Sequence, residues 1–291
     1  MRQYVIKCPA FFDRALMDMN KRILSSALFT VFAMSLVSTH ASAIDRAGKW
    51  FGIWGWNGAK YSNSDIHFTG DDYDFTLNDT VAKDRQSPFN YNNYFKWDRI
   101  TIPQTNSRIG YYVDDNYSIS FGVDHMKYVM QVGQTVKIDG TVGGTNSSYD
   151  GEYDNEDFEI SKNFLEYEHT DGLNYINFEH VYSESFYNKP VSENFGVTTH
   201  WLIGLGGGVM MPKTNATLLG NERHDEFHFA GLGTNVKTGL NVFLGESFFV
   251  QSELKLGYIN MWDVRTTIDE SDKASQQFLF AQYNILLGWL F

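Results

Sequence analysis

The sequence predicts an all-β fold, a transmembrane antiparallel up-and-down barrel of eight strands. Three observations predict it. The chain opens with an export signal, and no later apolar run is long enough for a membrane helix. Apolar and polar residues then alternate over stretches of about ten residues, the length a tilted strand needs to cross a bilayer.

The signal has three parts. Asn20, Lys21 and Arg22 form a short basic region, Ile23 to Val37 an apolar region, and Ala41-Ser42-Ala43 a small-x-small cleavage site. Residues 1–43 are therefore expected to be a signal peptide, with residues 44–291 the barrel. Residues 1–18 sit awkwardly in front of the basic region, and Met19 is the better start. The apolar run is short for a spanning helix, which argues against a permanent anchor. Cleavage removes Cys8, the only cysteine, so no disulfide or thiolate chemistry is expected. The formal charge is -12 for the whole chain and -15 for residues 44–291. A chain this acidic lacks the basic footprint of a nucleic-acid binder. Its 16% aromatic content suits two interfacial girdles of Trp, Tyr and Phe.

The strands follow in chain order. Trp50 to Trp56, within 49–57, is the first. In 105–113, Ile109, Tyr111 and Val113 oppose Arg108 and Gly110. In 117–130, Tyr117, Ile119, Phe121 and Val123 oppose Ser118, Ser120, Gly122 and Asp124. Leu173 to Tyr182 marks the fourth strand. In 199–212, Trp201, Ile203, Leu205, Val209 and Met211 oppose Gly204, Gly206 and Gly208. In 227–244, Leu232, Val236, Leu240, Val242 and Leu244 oppose a row that includes Asn235, Lys237 and Asn241. In 247–263, Phe248, Val250, Leu254, Leu256 and Tyr258 oppose Gln251, Glu253 and Lys255. In 276–291, Leu279, Ala281, Tyr283, Ile285, Leu287, Trp289 and Phe291 share one face, and the other carries Gln282 and Asn284. Side chains alternate faces along a strand, so each strand has one apolar face and one mixed or polar face. A membrane barrel puts the apolar face outward.

Loop lengths support eight strands over ten. Short inner turns then fall at Asp114-Asp115-Asn116 and at Gly245-Glu246-Ser247, and a third inner turn, at about 184–198, is longer than ideal. Large outer loops fall at 58–104 and 131–172, with smaller ones at 213–226 and 264–275. Ten strands would promote 64–77 and 158–169 and place acids such as Asp72, Asp74, Glu166 and Glu168 against lipid. Residues 158–169 are instead expected in a hairpin above the membrane that turns at Thr170-Asp171-Gly172.

The terminal Phe291 after alternating hydrophobics resembles the C-terminal assembly signal of bacterial outer-membrane proteins. The strand order, with the Gly-rich run Trp201 to Val209, resembles the small eight-stranded outer-membrane barrels of the OmpA, OmpX and OmpW type. That resemblance covers residues 48–291 in pattern, not residue by residue. It implies the cell outer membrane of a Gram-negative bacterium and the outer-membrane assembly machinery as a partner through Phe291. It implies little about activity.

An eight-stranded barrel is just wide enough to be filled by side chains. The lumen faces carry Arg108, Lys237 and Lys255 against Asp124, Glu179 and Glu253. Three cations balanced by three acids predict an ion-pair network that plugs the lumen. Outside, Tyr73, Phe75, Tyr91, Tyr94 and Trp97 lie among acids in the first large loop and are candidates for a binding surface. Asp150, Glu152, Asp154, Glu156, Asp157 and Glu159 lack the spacing of a calcium loop, so no metal or cofactor is expected. His224 and His228 are rim histidines that would serve an enzyme acting on lipid A, but no nucleophile accompanies them. The expectation is a non-enzymatic barrel with a structural or surface-interaction role. Lipopolysaccharide or another external partner would bind its outer loops. The alternatives are a narrow porin-like channel for small or hydrophobic solutes and a lipid A-modifying enzyme.

Overall fold

The computed structural model describes residues 44–96, 98–99, 103–145, 147–192, 195–221, 223–224 and 226–291. The expected signal peptide and Trp97 lie outside these residues. In chain order the elements are β1 (Trp50–Tyr61), β2 (Ser64–Thr69), β3 (Tyr73–Thr80), β4 (Ala82–Lys83), a short helix α1 (Tyr91–Tyr94), β5 (Thr105–Tyr112) and β6 (Tyr117–Met130). There follow β7 (Thr135–Val142), β8 (Gly151–Glu159), β9 (Leu165–Ser192), β10 (Phe195–Met210), β11 (Asn215–Leu218), β12 (Gly231–Leu244), β13 (Phe248–Arg265) and β14 (Lys273–Leu290).

Eight of these close a ring in the order β1-β5-β6-β9-β10-β12-β13-β14, and β14 pairs back to β1. All the pairings are antiparallel. The ends are joined as well: Trp50 and Phe291 exchange backbone hydrogen bonds of 2.8 Å. Closure satisfies the backbone without an open sheet edge, which lipid requires. The ten-strand alternative is thereby excluded.

Parity places the apolar face outward. Phe178, Leu205, Leu254, Val236, Tyr283 and Ile119 are exposed on the outer wall. The outward positions of β6 from Tyr117 to Val123, of β12 from Leu232 to Leu244 and of β14 from Leu279 to Trp289 carry no Lys, Arg, Asp or Glu. So broad an apolar belt is a lipid-facing surface. The ring is a transmembrane β-barrel.

Above the belt the same strands reverse their hydropathy. Inward positions of β6 change from Ser118, Ser120 and Asp124 to Met126, Tyr128 and Met130. Outward positions change from Phe121 and Val123 to His125 and Lys127. Water replaces lipid outside, so the core must form inside. The strands here become a water-soluble cap. The outer end of β14 passes the sheet to β2, then β3, β7 and β8. The outer end of β9 takes β11. Ile66, Phe68, Phe75, Leu77, Ile138, Phe164 and Leu165 are buried together in its core. Phe68 stacks on Phe75 at 5.2 Å between centroids, and Phe75 meets Phe164 at 5.4 Å.

Three sequence expectations change. The segment 158–172 does not turn at Thr170-Asp171-Gly172. β9 runs through those three residues, bending at Gly172 (φ 142°) beside a register shift between Met126 and Tyr128, and the chain turns earlier, between β8 and Leu165. A bulge absorbs two extra residues of β9 there, which alternation alone reads as a turn. The inner connection at 184–198 is not a long loop, because β9 and β10 pair from Ser192 and Phe195 upward. The outer loops 58–104 and 131–172 are largely strands of the cap. β8 forms the outer edge of this sheet, and its exposed Glu152, Asp154, Glu156, Asp157 and Glu159 guard the edge against further pairing.

One buried polar chain crosses the cap. Gln276 donates to the Tyr167 hydroxyl and to His169 Nε2, both at 3.1 Å, and His169 Nδ1 meets Thr214 Oγ1 at 3.0 Å. The ring is therefore neutral with its proton on Nδ1. Burial pushes its pKa down from 6.5 to about 3. The unfolded cap takes a proton below pH 6.5, whereas the folded cap resists one until about pH 3. This contribution is full above pH 6.5 and declines as pH falls, by no more than about 5 kcal/mol in total. Near-ultraviolet circular dichroism of the cap aromatics is expected to weaken between pH 6 and pH 4 and to weaken less in His169→Gln. An identical acid profile in that variant would refute the assignment.

Candidate functional site

The six lumen charges come from five strands. β5 supplies Arg108, β6 Asp124, β9 Glu179, β12 Lys237, and β13 both Glu253 and Lys255. Every one is buried. The structure brings them together. Glu179 takes Lys237 at 2.6 Å, Lys255 at 2.7 Å and Arg108 at 3.2 Å. Lys237 also holds Glu253 at 2.6 Å, Arg108 holds Asp124 at 3.2 Å, and Lys255 meets Asp124. Each charge therefore has an opposite neighbour, which makes burial tolerable.

Amides extend the layer around the barrel. Asn177 accepts from Arg108 at 2.9 Å, Asn284 donates to Glu253 at 3.0 Å, and Asn235 donates to Glu179 at 3.3 Å. Asn57 donates to Asn106 at 2.6 Å, and Asn106 to Asn284 at 3.2 Å. Gln251 accepts from Asn241 at 2.8 Å and donates to Glu253 at 2.6 Å. Gln282 is buried too, but its amide has no hydrogen-bond partner among the described residues, and nothing in the structure explains it.

Only β10 gives no polar side chain to the middle of this layer, and its glycines explain why the layer fits. A Cβ at Gly206 would lie 2.7 Å from Glu179 Cγ and 2.8 Å from Asn235 Oδ1. One at Gly204 would lie 3.3 Å from Lys237 Cε, and one at Gly208 would strike the Ile176 carbonyl. The glycine row makes room for the long side chains of its two neighbouring strands.

Apolar tiers close both ends of the layer. The cap core lies above. Below lie Phe51, Ile53, Tyr112, Phe243, Phe249, Leu286 and Leu290, with Ile44 packed beneath. Arg46 seals the inner mouth. Its guanidinium sits 4.7 Å over the Tyr112 ring, donates to Ser183 Oγ at 3.0 Å and to the Asp115 carbonyl. The amides of Arg46 and Ala47 hold the Asp115 carboxyl below its ordinary pKa. Sequence reasoning missed Arg46, since a lone cation ahead of the first strand carries no pattern.

The outer candidates separate. Tyr73 and Phe75 are buried in the cap at 5% and 1% exposure and are not a surface. β3 is covered by β2 and β7, and alternation cannot say which face meets water once a strand has left the membrane. Tyr94 is also buried, against Phe89 and Trp56. Tyr91 is exposed, as are Phe89 and Phe95, two aromatics outside the candidate set. At the rim, His228 Nε2 meets Asp263 Oδ2 at 2.9 Å, and the His224 ring lies 6.2 Å from that of His228. No group of three His, Cys, Asp or Glu among the described residues could hold a metal.

No protein-family model matches the chain, and no curated protein matches it. Solved structures do. The outer membrane protein AlkL, in lipid bilayers, is 12% identical over 88% of this chain and 95% of its own, with a TM-score of 0.39. The outer membrane protein OprG from Pseudomonas aeruginosa is 9% identical over 84% and 97%, with a TM-score of 0.35. The outer membrane protease OmpT from Escherichia coli is 9% identical over 87% and 100%, with a TM-score of 0.32. Likeness at this level carries neither ligand nor activity to this chain. The closed ring, its apolar belt and its polar interior are the architecture of bacterial outer-membrane barrels.

Two predictions follow from the packing of the layer. Glu179→Gln leaves three cations facing two carboxylates and is expected to cost about 3–5 kcal/mol. The melting midpoint on heat-modifiable gel migration should drop, and Glu179→Gln combined with Lys237→Met should recover most of the loss. Gly208→Ala is expected to impair barrel assembly, whereas outward Gly207→Ala, whose Cβ meets only the Gly233 carbonyl at 3.7 Å, should assemble normally.

Proposed function

We propose that this chain is a sealed barrel of the outer membrane with a structural and surface-interaction role, its outer surface open to lipopolysaccharide or an external partner. The observation that carries this reading is the three-tier filling of the lumen. A conducting pore needs a continuous wet path. Here a fully paired charge layer lies between two apolar tiers, and each tier buries large rings across the bore.

The surface role rests on where the exposed chemistry lies. The lumen charges are spent on each other, whereas exposed charged groups such as Glu152, Asp154, Glu156 and Asp157 lie on the outer segments. The rim histidines support an enzyme less well, because the His228 ring bonds Asp263 and no nucleophile among the described residues.

Planar-bilayer recording of the refolded mature protein tests the reading. No stable conductance step is expected for the unaltered chain. A steady, large conductance would overturn it and return the channel to first place.

A further inference from the structure

Two outer segments of nine residues each differ sharply in composition. β8, from Gly151 to Glu159, carries Glu152, Asp154, Glu156, Asp157 and Glu159. The stretch from Ser87 to Phe95 carries no charged side chain at all, in a chain of net charge -12. It holds four aromatic rings, Phe89, Tyr91, Tyr94 and Phe95. Only Tyr94 is buried, whereas Phe89 is 79% and Tyr91 72% exposed. An uncharged cluster of exposed rings is costly in water and favourable against lipid.

The wall explains where this stretch lies. β1 pairs with β14 from Phe51 to Tyr61, but with β5 only from Trp50 to Trp56. Above Trp56 its free side is met by the segment 82–86. Asp84 accepts from the Ala59 amide at 2.8 Å, and Gln86 donates to the Asn57 carbonyl at 3.3 Å. The chain then leaves the wall as a loop carrying α1 and re-enters it at Thr105, where β5 begins.

That loop rests on the outer face of the wall. Tyr94 and Phe95 pack on outward Trp56 at 5.8 and 6.0 Å, and Trp56 meets Trp54 at 5.0 Å. Phe89 meets Tyr94 at 5.0 Å, and Tyr91 stacks on Phe95 at 6.3 Å. An unbroken series of rings thus runs from β1 to the exposed side of the loop.

Register fixes the depth of the contact. Trp56 pairs with Ile285 on β14, and Tyr283, Ala281 and Leu279 continue the apolar outer face beyond it. On β1, Trp56 lies four residues inside Lys60, a drop of roughly 9 Å for a strand rising about 3.3 Å per residue at a tilt of about 45°. The rings on Trp56 therefore meet the wall below the outer limit of the belt, and Phe89 and Tyr91 follow one ring contact further.

The loop also satisfies its own polar groups. Asn90 accepts from the Asn93 amide at 2.9 Å, the Asn93 side chain donates to the Pro88 carbonyl at 2.8 Å, and the Tyr94 hydroxyl donates to the Ser87 carbonyl at 3.1 Å. The Tyr94 and Phe95 amides bond the carbonyls of Asn90 and Tyr91. Backbone that meets lipid needs such internal partners. The first charges of the loop, Lys96 and Asp98, come after the rings and face each other at 3.6 Å.

We propose that this loop is lodged in the outer leaflet, with Phe89, Tyr91 and Phe95 set among lipid acyl chains. It extends the lipid-facing belt, with which its rings are continuous. Exposed Tyr91 is then a contact for lipid and not for an aqueous partner, so a partner in water would meet the cap instead. The inference goes beyond the surface role proposed above and rests on the outer-membrane placement alone. A conducting barrel would refute the sealed lumen and leave the loop where it is.

Residues 44–291 contain no cysteine, so single nitroxide labels report depth directly. Phe89→Cys and Tyr91→Cys are labelled in phosphatidylcholine vesicles, with Leu256→Cys on the belt and Asp154→Cys on β8 as references. Electron paramagnetic resonance measures the collisions of each label with oxygen, which concentrates among acyl chains, and with a water-soluble nickel chelate. The oxygen-to-nickel ratio at both loop positions is expected to exceed that of Asp154→Cys several-fold and to approach that of Leu256→Cys. Heat-modifiable migration verifies that each variant is folded, and one loop position decides the matter if the other fails to assemble. A ratio no higher than at Asp154→Cys overturns the proposal and returns these rings to an aqueous partner.

Discussion

The buried charge layer is the interaction on which the rest of the molecule depends. Three cations and three carboxylates sit at the centre of a barrel whose outer wall faces lipid. Neither lipid nor bulk water can solvate them there, so they must solvate each other. That need sets the surrounding structure. Glu179 and Lys237 flank β10, so β10 carries glycine at the facing positions. Asparagine and glutamine take up the remaining lone pairs and protons. Apolar tiers lie at both ends with Arg46 over Tyr112, and a low local dielectric strengthens each ion pair.

A second constraint is the change of solvent along each strand. Pairing and parity continue unbroken through the membrane boundary, but the side of the sheet that must be apolar switches. Phe280 and Phe278 follow Gln282 and Asn284 on the inner face of β14, just as Met126 and Tyr128 follow Asp124 on β6. One continuous sheet is thus a membrane barrel at one end and a water-soluble β-domain at the other. The cap has an acidic edge at β8, whose charges oppose edge-to-edge association on a crowded cell surface. Beside β1 the transition is least regular, and there the aromatic loop rests against the belt.

These features direct attention from the bore to the outside. The lumen charges are paired with one another. The exposed rings of Phe89 and Tyr91 and the acids of β8 are where the molecule presents chemistry to lipid and to solvent.

The sequence by itself determined the number of membrane strands, their directions, the face each of their residues occupies within the membrane and the identity of the six lumen charges. It could do so because a membrane strand has a side-chain period of two and a sharp apolar requirement on one side, both local properties of the chain. Arg108, Asp124, Glu179, Lys237, Glu253 and Lys255 all break an apolar alternation at inward positions, and that is visible residue by residue. Tertiary structure alone decided which charge meets which, that Tyr73 and Phe75 are core, that β9 bends at Gly172 without turning, and that Gly208 closes on a neighbour's backbone. Each of those depends on the register between strands distant in sequence. Outside the membrane the same alternation fits either face, because water no longer dictates a single apolar side until the partner strand is in place.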